Sequence, residues 1–354
     1  MKIGLLTIHN TQNYGSLLQT YSTYKALHKL GLDIDLIDYR NDAITRREKP
    51  NDLVESISVK QIVKYFIWGN AQKRKYNSIM QFLKENTSMS PEYDKTSIVN
   101  ANKVYEGFIV GSDIVWGTNI TGRDMTYFLD FTSDDKKRYS FSSSIGTKWT
   151  SEENDMIKPL LQRFDKISVR EELASEWIEE LMGEKPIVTC DPTVLWEPSF
   201  WNKFVLDGYA PKGKYVIIYA VNTDKRNISD GIEYAKKKGI PAYFINFYTP
   251  IRGTKTIRPT NVKEWITLFA KADTVFSASY HGLLFSLYFK KNVFFYNRGE
   301  KSRMISLSKS LKIENREGNA ENIEKDSPID YATVWKKLEQ KRTESWKVLE
   351  SMFN

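Results

Sequence analysis

The first forty residues constrain the fold more than any other stretch of this chain. Residues 2–8 form a short apolar run and residues 9–15 are polar. Residues 16–30 then carry apolar side chains at helical spacing, with Leu17, Leu18, Tyr21, Tyr24 and Leu27 on one face and Gly31 as the stop. A second apolar run follows at 34–38. Strand, loop, helix and strand in that order predict a βαβ unit, and such units build parallel sheets covered by helices.

The pattern recurs downstream. Strands are expected at 104–110, 137–143, 167–169 and 187–189, with helices between them; Thr150 and Glu153 have the spacing of a capping box. Residues 197–214 break into an aromatic stretch with proline and glycine, which marks a domain boundary. A second α/β unit follows, with strands at 215–221, 242–246, 274–278 and 293–296 and helices at 229–238, 262–270 and 282–289. The terminal segment repeats Tyr331, Trp335, Leu338, Trp346 and Leu349 at helical spacing. The expected domains are therefore 1–200, 201–330 and a C-terminal helix at 331–354 that packs back across the junction. Residues 51–104 read as a helical, basic insertion beside the first domain, with Ile62, Phe66 and Trp68 among Lys60, Lys64, Lys73, Arg74 and Lys75. A packed helix with a solvated basic face accounts for it; the functional alternative is peripheral contact with an anionic membrane.

Length fits this organisation, since 354 residues are long for one core and sufficient for two. Cys190 is the only cysteine, which excludes an intramolecular disulfide and a cysteine-based zinc cluster. The first residues enter a strand pattern directly, without the basic and apolar regions of a signal peptide. No apolar run approaches the roughly 18 residues of a membrane span. These features predict a cytoplasmic enzyme. The net charge of +8 favours anionic partners. Zinc-finger spacing and aromatic RNA-recognition motifs are both missing from the sequence, so no nucleic-acid partner is expected.

Ligands of open α/β sheets bind beyond the carboxyl ends of the strands, so residues just after strands are the candidates for chemistry. His281 stands between an expected strand end and Gly282, which opens a helix; a histidine there can contact an anion or exchange a proton near neutral pH. A structural histidine is the competing reading. His9, Asn13, Tyr14 and Gly15 lie in the first strand-to-helix loop, where small and amide residues can present backbone N–H groups to an anion. Ser112 and Asp113 end another strand, with Trp116 after them: Asp113 could serve as a base or orient a sugar hydroxyl, Trp116 could stack on a sugar, or the pair could be a cap and a core residue. Arg170 is a fixed cation at a strand end, suited to a carboxylate or phosphate ligand or to a salt bridge. The Asp191-Pro192-Thr193 segment reads as a cap and turn.

Taken in order, these segments resemble the polysaccharide pyruvyl transferase family. The likeness runs through residues 8–21 (IHNTQNYGSLLQTY), Val110-Gly111-Ser112-Asp113-Ile114-Val115-Trp116, Tyr127-Phe128-Leu129-Asp130-Phe131 and Ser142-Ser143-Ser144-Ile145-Gly146. It continues through Ile167-Ser168-Val169-Arg170-Glu171 and Asp191-Pro192-Thr193 to Ser279-Tyr280-His281-Gly282, and covers residues 1 to about 313 apart from 51–104. The resemblance implies a glycosyltransferase-B-like pair of Rossmann-like domains facing a cleft, with the acceptor on the N-terminal domain and the donor on the C-terminal one. It implies phosphoenolpyruvate as donor substrate and a hexose or N-acetylhexosamine unit, lipid-linked or nucleotide-linked, as acceptor. No metal cluster is apparent in the sequence, so activity without a metal or cofactor is expected. By the same resemblance His281 is the family histidine, and Arg170 and Gly282 belong to the donor site. Some members carry arginine where this chain has Ser279, and Arg298 and Arg303 are the candidates to replace its charge. A nucleotide-sugar glycosyltransferase and a non-catalytic glycan-binding protein are the alternatives that this architecture also allows.

Overall fold

Strands buried along their whole length need cover on both faces, which favours parallel sheets between helices. The computed structural model describes residues 1–49, 69–220, 225–297 and 303–353, and within them two such sheets organise the chain. The first has seven strands: β1 (Lys2–Leu6), β2 (Asp33–Tyr39), β3 (Met89–Tyr93), β4 (Gly107–Val110), β5 (Lys137–Ser143), β6 (Lys166–Val169) and β7 (Ile187–Val188). Their order is β3-β2-β1-β4-β5-β6-β7, with every pairing parallel. The second has five: β8 (Val216–Tyr219), β9 (Ala242–Ile245), β10 (Lys255–Ile257), β11 (Thr274–Ser277) and β12 (Asn292–Phe295), ordered β10-β9-β8-β11-β12 and again all parallel. The central strands β4, β8 and β11 are buried at every residue.

The chain divides into two units, one for each sheet. Unit 1 comprises residues 1–49, 79–196 and 340–354; unit 2 comprises 50–78 and 197–339. Phe108, Val110, Trp116, Phe128, Ile145 and Ile157 share the core of unit 1. Val216, Ile218, Phe276 and Phe294 share that of unit 2. Local signals set the helix ends. Asn13 caps the helix Tyr14–Lys29, and the Thr150–Glu153 capping box opens the helix Ser151–Leu161 with both reciprocal bonds in place.

Residues 51–104 depart from the expectation of a helical insertion. The part at 51–68, including Lys60, Ile62, Lys64, Phe66 and Trp68, lies outside the described residues. The helix Asn70–Asn86 follows, but Met89–Tyr93 is β3, an edge strand of the first sheet, and Tyr93, Ile98 and Ala101 enter its core. Pro91 and Glu92 disguise the strand in the sequence; an edge position tolerates both, since only one side of the strand must pair. The three-residue β10 was likewise not expected.

The final helix, Tyr331–Ser351, contributes to both units. In unit 2, Tyr331 donates to the carbonyl of Lys291, and Trp335 Nε1 to that of Leu287 at 3.3 Å. In unit 1, Arg342 Nε donates to the Val194 carbonyl at 2.9 Å and Trp346 Nε1 to that of Leu195 at 3.0 Å. Arg342, which interrupts the apolar spacing, thus satisfies a backbone carbonyl.

Candidate functional site

In an open parallel sheet a crevice forms where the strand order reverses. That reversal falls between β1 and β4 in unit 1 and between β8 and β11 in unit 2. The two carboxyl edges are built differently.

At the edge of unit 1, Gly111 follows β4 with φ +133°, and a Cβ there would lie 2.0 Å from the Phe141 carbonyl oxygen. Only glycine lets the chain pass so close to β5. Ser112 is fully buried, its backbone N–H donating to Gln19 Oε1 at 3.3 Å. Asp113 has φ +61°, a conformation aspartate tolerates, and accepts from Ser16 Oγ and from the backbone N–H of Ile114. The structure thus joins Asp113 to the first turn of the helix Tyr14–Lys29, a contact between residues 97 positions apart.

Other expected residues of this edge are held by the protein itself. Trp116 has no exposed surface; it stacks on Phe128 at 5.6 Å and donates to the Tyr127 carbonyl, so it is a core residue and not a sugar platform. His9 is also buried, with Nε2 3.0 Å from Asp38 Oδ1 and Nδ1 3.2 Å from the Thr7 carbonyl. Burial raises the Asp38 pKa, but the hydrogen bond from His9 and the charges of His9 and Arg40 pull it below the ordinary carboxylate value. Asn13 accepts from the Gly15 N–H at 2.9 Å, and Tyr14 and Gly15 are buried. The first loop is therefore a tied structural element, with Gln12 bound to Glu48 as well.

Arg170, expected either at the donor site or in a salt bridge, has its guanidinium in a buried cluster: Nη1 is 2.9 Å from Asp191 Oδ2 and 3.4 Å from Ser112 Oγ, and Nε is 3.0 Å from Glu171 Oε1. The Arg170 and Asp191 side chains are 1% and 0% exposed. Two carboxylates offset this one cation, and its Nη1 also reaches Ser112 Oγ. Asp191 also caps its turn as expected, accepting from the Thr193 N–H at 3.0 Å.

The edge of unit 2 carries His281. Gly282 again permits a close approach, since a Cβ there would lie 2.2 Å from Ser277 Oγ and 3.0 Å from Tyr219 Cδ1. The helix Tyr280–Tyr288 can therefore begin directly above the ends of β8 and β11, with His281 in its first turn. Ser279, where some relatives have arginine, is the N-cap: its hydroxyl accepts from the Gly282 N–H at 3.4 Å, while its own N–H donates to Ser277 Oγ at 3.1 Å. Tyr280 meets the His281 ring edge-on at 5.5 Å. The Arg303 guanidinium sits 5.8 Å from the centroid of the same Tyr280 ring. The structure thus brings Arg303 to the histidine's neighbour from more than twenty residues away. Arg298 lies outside the described residues.

Asn227 belongs to this edge and went unrecognised in the sequence. Fully buried, it donates through Nδ2 to the Tyr219 carbonyl at 3.3 Å, the same carbonyl that accepts from the Ala278 N–H at 2.9 Å. Its Oδ1 has no donor among the described residues, a costly state for an enclosed amide oxygen. An asparagine two residues into a helix after a strand was the available signal.

Among the described residues no group of three or more His, Cys, Asp or Glu could hold a metal ion, and no helix is long and apolar enough to cross a membrane.

A family model described as Polysaccharide pyruvyl transferase matches residues 13–300. No curated protein matches the chain. Among solved structures, a UDP-GlcNAc 2-epimerase from Neisseria meningitidis bound to UDP-GlcNAc is similar with a TM-score of 0.55 and 10% identity, over 100% of this chain and 99% of that one. A putative UDP-N-acetylglucosamine 2-epimerase from Listeria monocytogenes gives 0.54 and 11%, over 96% and 90%. An alpha-glucosyltransferase in complex with UDP gives 0.53 and 9%, over 98% and 94%. At these identities the likeness is one of fold, a glycosyltransferase-B-like pair of Rossmann-like sheets.

Proposed function

This chain belongs to the polysaccharide pyruvyl transferase family and is a transferase, and on that premise we propose its reaction. It moves the enolpyruvyl-derived group of phosphoenolpyruvate onto a sugar unit of a cell-surface polysaccharide precursor and closes a pyruvate ketal. The observation that carries this reading is His281 at the strand-order reversal of unit 2, with Arg303 over the adjacent Tyr280 ring.

The chemistry needs a proton donor and a cation. His281 gives its proton to the methylene carbon of the donor, which becomes a methyl group, and positive charge develops at the carbon bearing the phosphate ester. A sugar hydroxyl attacks that carbon and loses its proton. A second hydroxyl of the same sugar then displaces phosphate; the carbon–oxygen bond to phosphate breaks, and inorganic phosphate leaves carrying a proton. Two hydroxyl protons are released, one replacing that given by His281 and one leaving with phosphate, so the reaction balances. Arg303 offsets the donor's negative charge in place of the arginine that some relatives carry where this chain has Ser279. Asp113, held by Ser16, is the candidate base.

This reading describes a cytoplasmic enzyme that needs no cofactor or metal, so turnover persists in chelator. Contact with an anionic membrane through the basic 51–104 segment is a separable part of the reading; failure to bind anionic vesicles would end that part alone. The principal test is turnover with phosphoenolpyruvate and a panel of lipid-linked and nucleotide-linked sugars, following phosphate release and the mass of the ketal. Wild type should form product and His281→Ala should not. Transfer from a nucleotide sugar with no use of phosphoenolpyruvate would replace this reading with a glycosyltransferase.

A further inference from the structure

A single aromatic side chain at the His281 edge contacts both groups that the proposed reaction uses. Tyr280 and His281 are consecutive residues of the helix Tyr280–Tyr288, and neighbours at that spacing do not face each other on a helix. Here their rings nevertheless meet, with centroids 5.5 Å apart and planes at 82°. Such a contact requires both side chains to turn toward each other, so each restricts the rotamers open to the other. The backbone beneath them is set independently. Ser279 caps the helix, Ser277 Oγ accepts from the Ser279 N–H at 3.1 Å, and Gly282 packs where a Cβ would lie 3.0 Å from Tyr219 Cδ1. The Arg303 guanidinium is 5.8 Å from the Tyr280 centroid, within the range at which a cation is drawn to a ring face. Its helix, Arg303–Leu311, is anchored by the buried side chains of Met304, Leu307 and Leu311. Tyr280 thus contacts the imidazole of its own helix and the guanidinium of another.

We propose that Tyr280 is a positioning residue whose ring sets the Arg303 guanidinium and the His281 imidazole relative to each other. The roles of those two groups rest on the pyruvyl-transfer reading; Tyr280 supplies the means by which they keep register. Protonation of the donor's methylene carbon requires the imidazole and the charge-offsetting cation at a fixed spacing while the donor lies against both. A displacement of about 1 Å at a reacting group can cost roughly a hundred-fold in rate. An arginine side chain gives up much rotamer freedom when it engages an anion, and a guanidinium already packed on Tyr280 has given up part of it before the donor arrives. The role belongs to the ring and not to its hydroxyl.

The coupling is read first without any ligand, by nuclear magnetic resonance on the full chain made with isotopically labelled histidine. The sequence has three histidines, so the His281 imidazole resonances are assigned by their loss in His281→Ala. Arg303→Ala should shift those resonances in the protein that keeps Tyr280 and leave them in place in Tyr280→Leu. No shift in the first background, or an equal shift in the second, overturns the coupling. Steady-state kinetics with phosphoenolpyruvate then reads the positioning. Tyr280→Leu should lower kcat by roughly ten-fold or more and raise the KM for phosphoenolpyruvate by roughly five-fold, with an unchanged thermal unfolding midpoint. Tyr280→Phe, which keeps the ring, should recover most of both losses. Tyr280→Met takes the place of Tyr280→Leu if the latter does not fold. Wild-type kcat in Tyr280→Leu, or no recovery in Tyr280→Phe, overturns the role of the ring. A wild type that does not turn over phosphoenolpyruvate would end the pyruvyl-transfer reading instead, and the resonances would still decide the coupling.

Discussion

The two carboxyl edges are built from different contacts. In unit 1 the ionic groups pair with one another inside the fold: Arg170 with Asp191 and Glu171, His9 with Asp38. In unit 2 the described contacts of the corresponding groups are with aromatic faces and helix-cap hydroxyls, as in Arg303 over Tyr280 and Ser279 beneath Gly282. A cation matched by carboxylates inside the fold supports architecture, whereas Arg303 packs on the ring of the residue next to His281. Motifs that look equivalent in sequence therefore serve different ends. The pairing partner separates them, not the residue type.

The sharpest way to break this contrast is His281→Ala. Loss of a general acid lowers turnover by roughly 10²–10⁴-fold, and steady-state kinetics with an unchanged thermal unfolding midpoint would place the effect in chemistry. Asp191→Ala should do the reverse. Leaving Arg170 buried beside Glu171 but without the Asp191 carboxylate costs up to about 3–5 kcal/mol of stability, read from chemical denaturation. If instead Asp191→Ala keeps its stability and loses only donor affinity, the edge of unit 1 binds the donor after all.

Acid pH sharpens the comparison further. The folded-state pKa of Asp38 lies below its ordinary value, so the stabilisation it gives is complete above the ordinary carboxylate range and is lost as pH falls toward the folded value. Asp38→Asn should therefore flatten the loss of stability below about pH 4, measured by denaturation across pH. The smallest expected effect concerns Ser345, whose hydroxyl accepts from the Cys190 N–H at 2.9 Å next to Asp191. Ser345→Ala should cost about 1 kcal/mol. Burial pushes the Cys190 thiol up to about 12, so alkylation of the native protein at pH 8 should be slow and should quicken in Ser345→Ala if the final helix loosens.

Local chemistry made much of this fold legible. The alternation of 2–8, 16–30 and 34–38 corresponds to β1, the helix Tyr14–Lys29 and β2, and the Thr150–Glu153 pair is a capping box in fact. His281 could be placed because a strand end and a helix-opening glycine flank it in sequence. Long-range pairing was not legible. Arg170 and Asp191 are 21 positions apart and Ser16 and Asp113 are 97 apart, so no local pattern reveals that one pair is locked and the other forms a polar couple. Trp116 resembled an exposed stacking residue because burial depends on Phe128 and Tyr127, which a strand-end motif does not contain. The strand β3 was hidden by Pro91 and Glu92, which only its edge position explains.

The most direct test of the contrast is a calorimetric titration of phosphoenolpyruvate into wild type, Arg303→Ala and Asp113→Asn. Binding that is lost in Arg303→Ala and retained in Asp113→Asn is the predicted result. Donor binding retained in Arg303→Ala but lost in Asp113→Asn would contradict the account, because it would move the donor to the edge of unit 1.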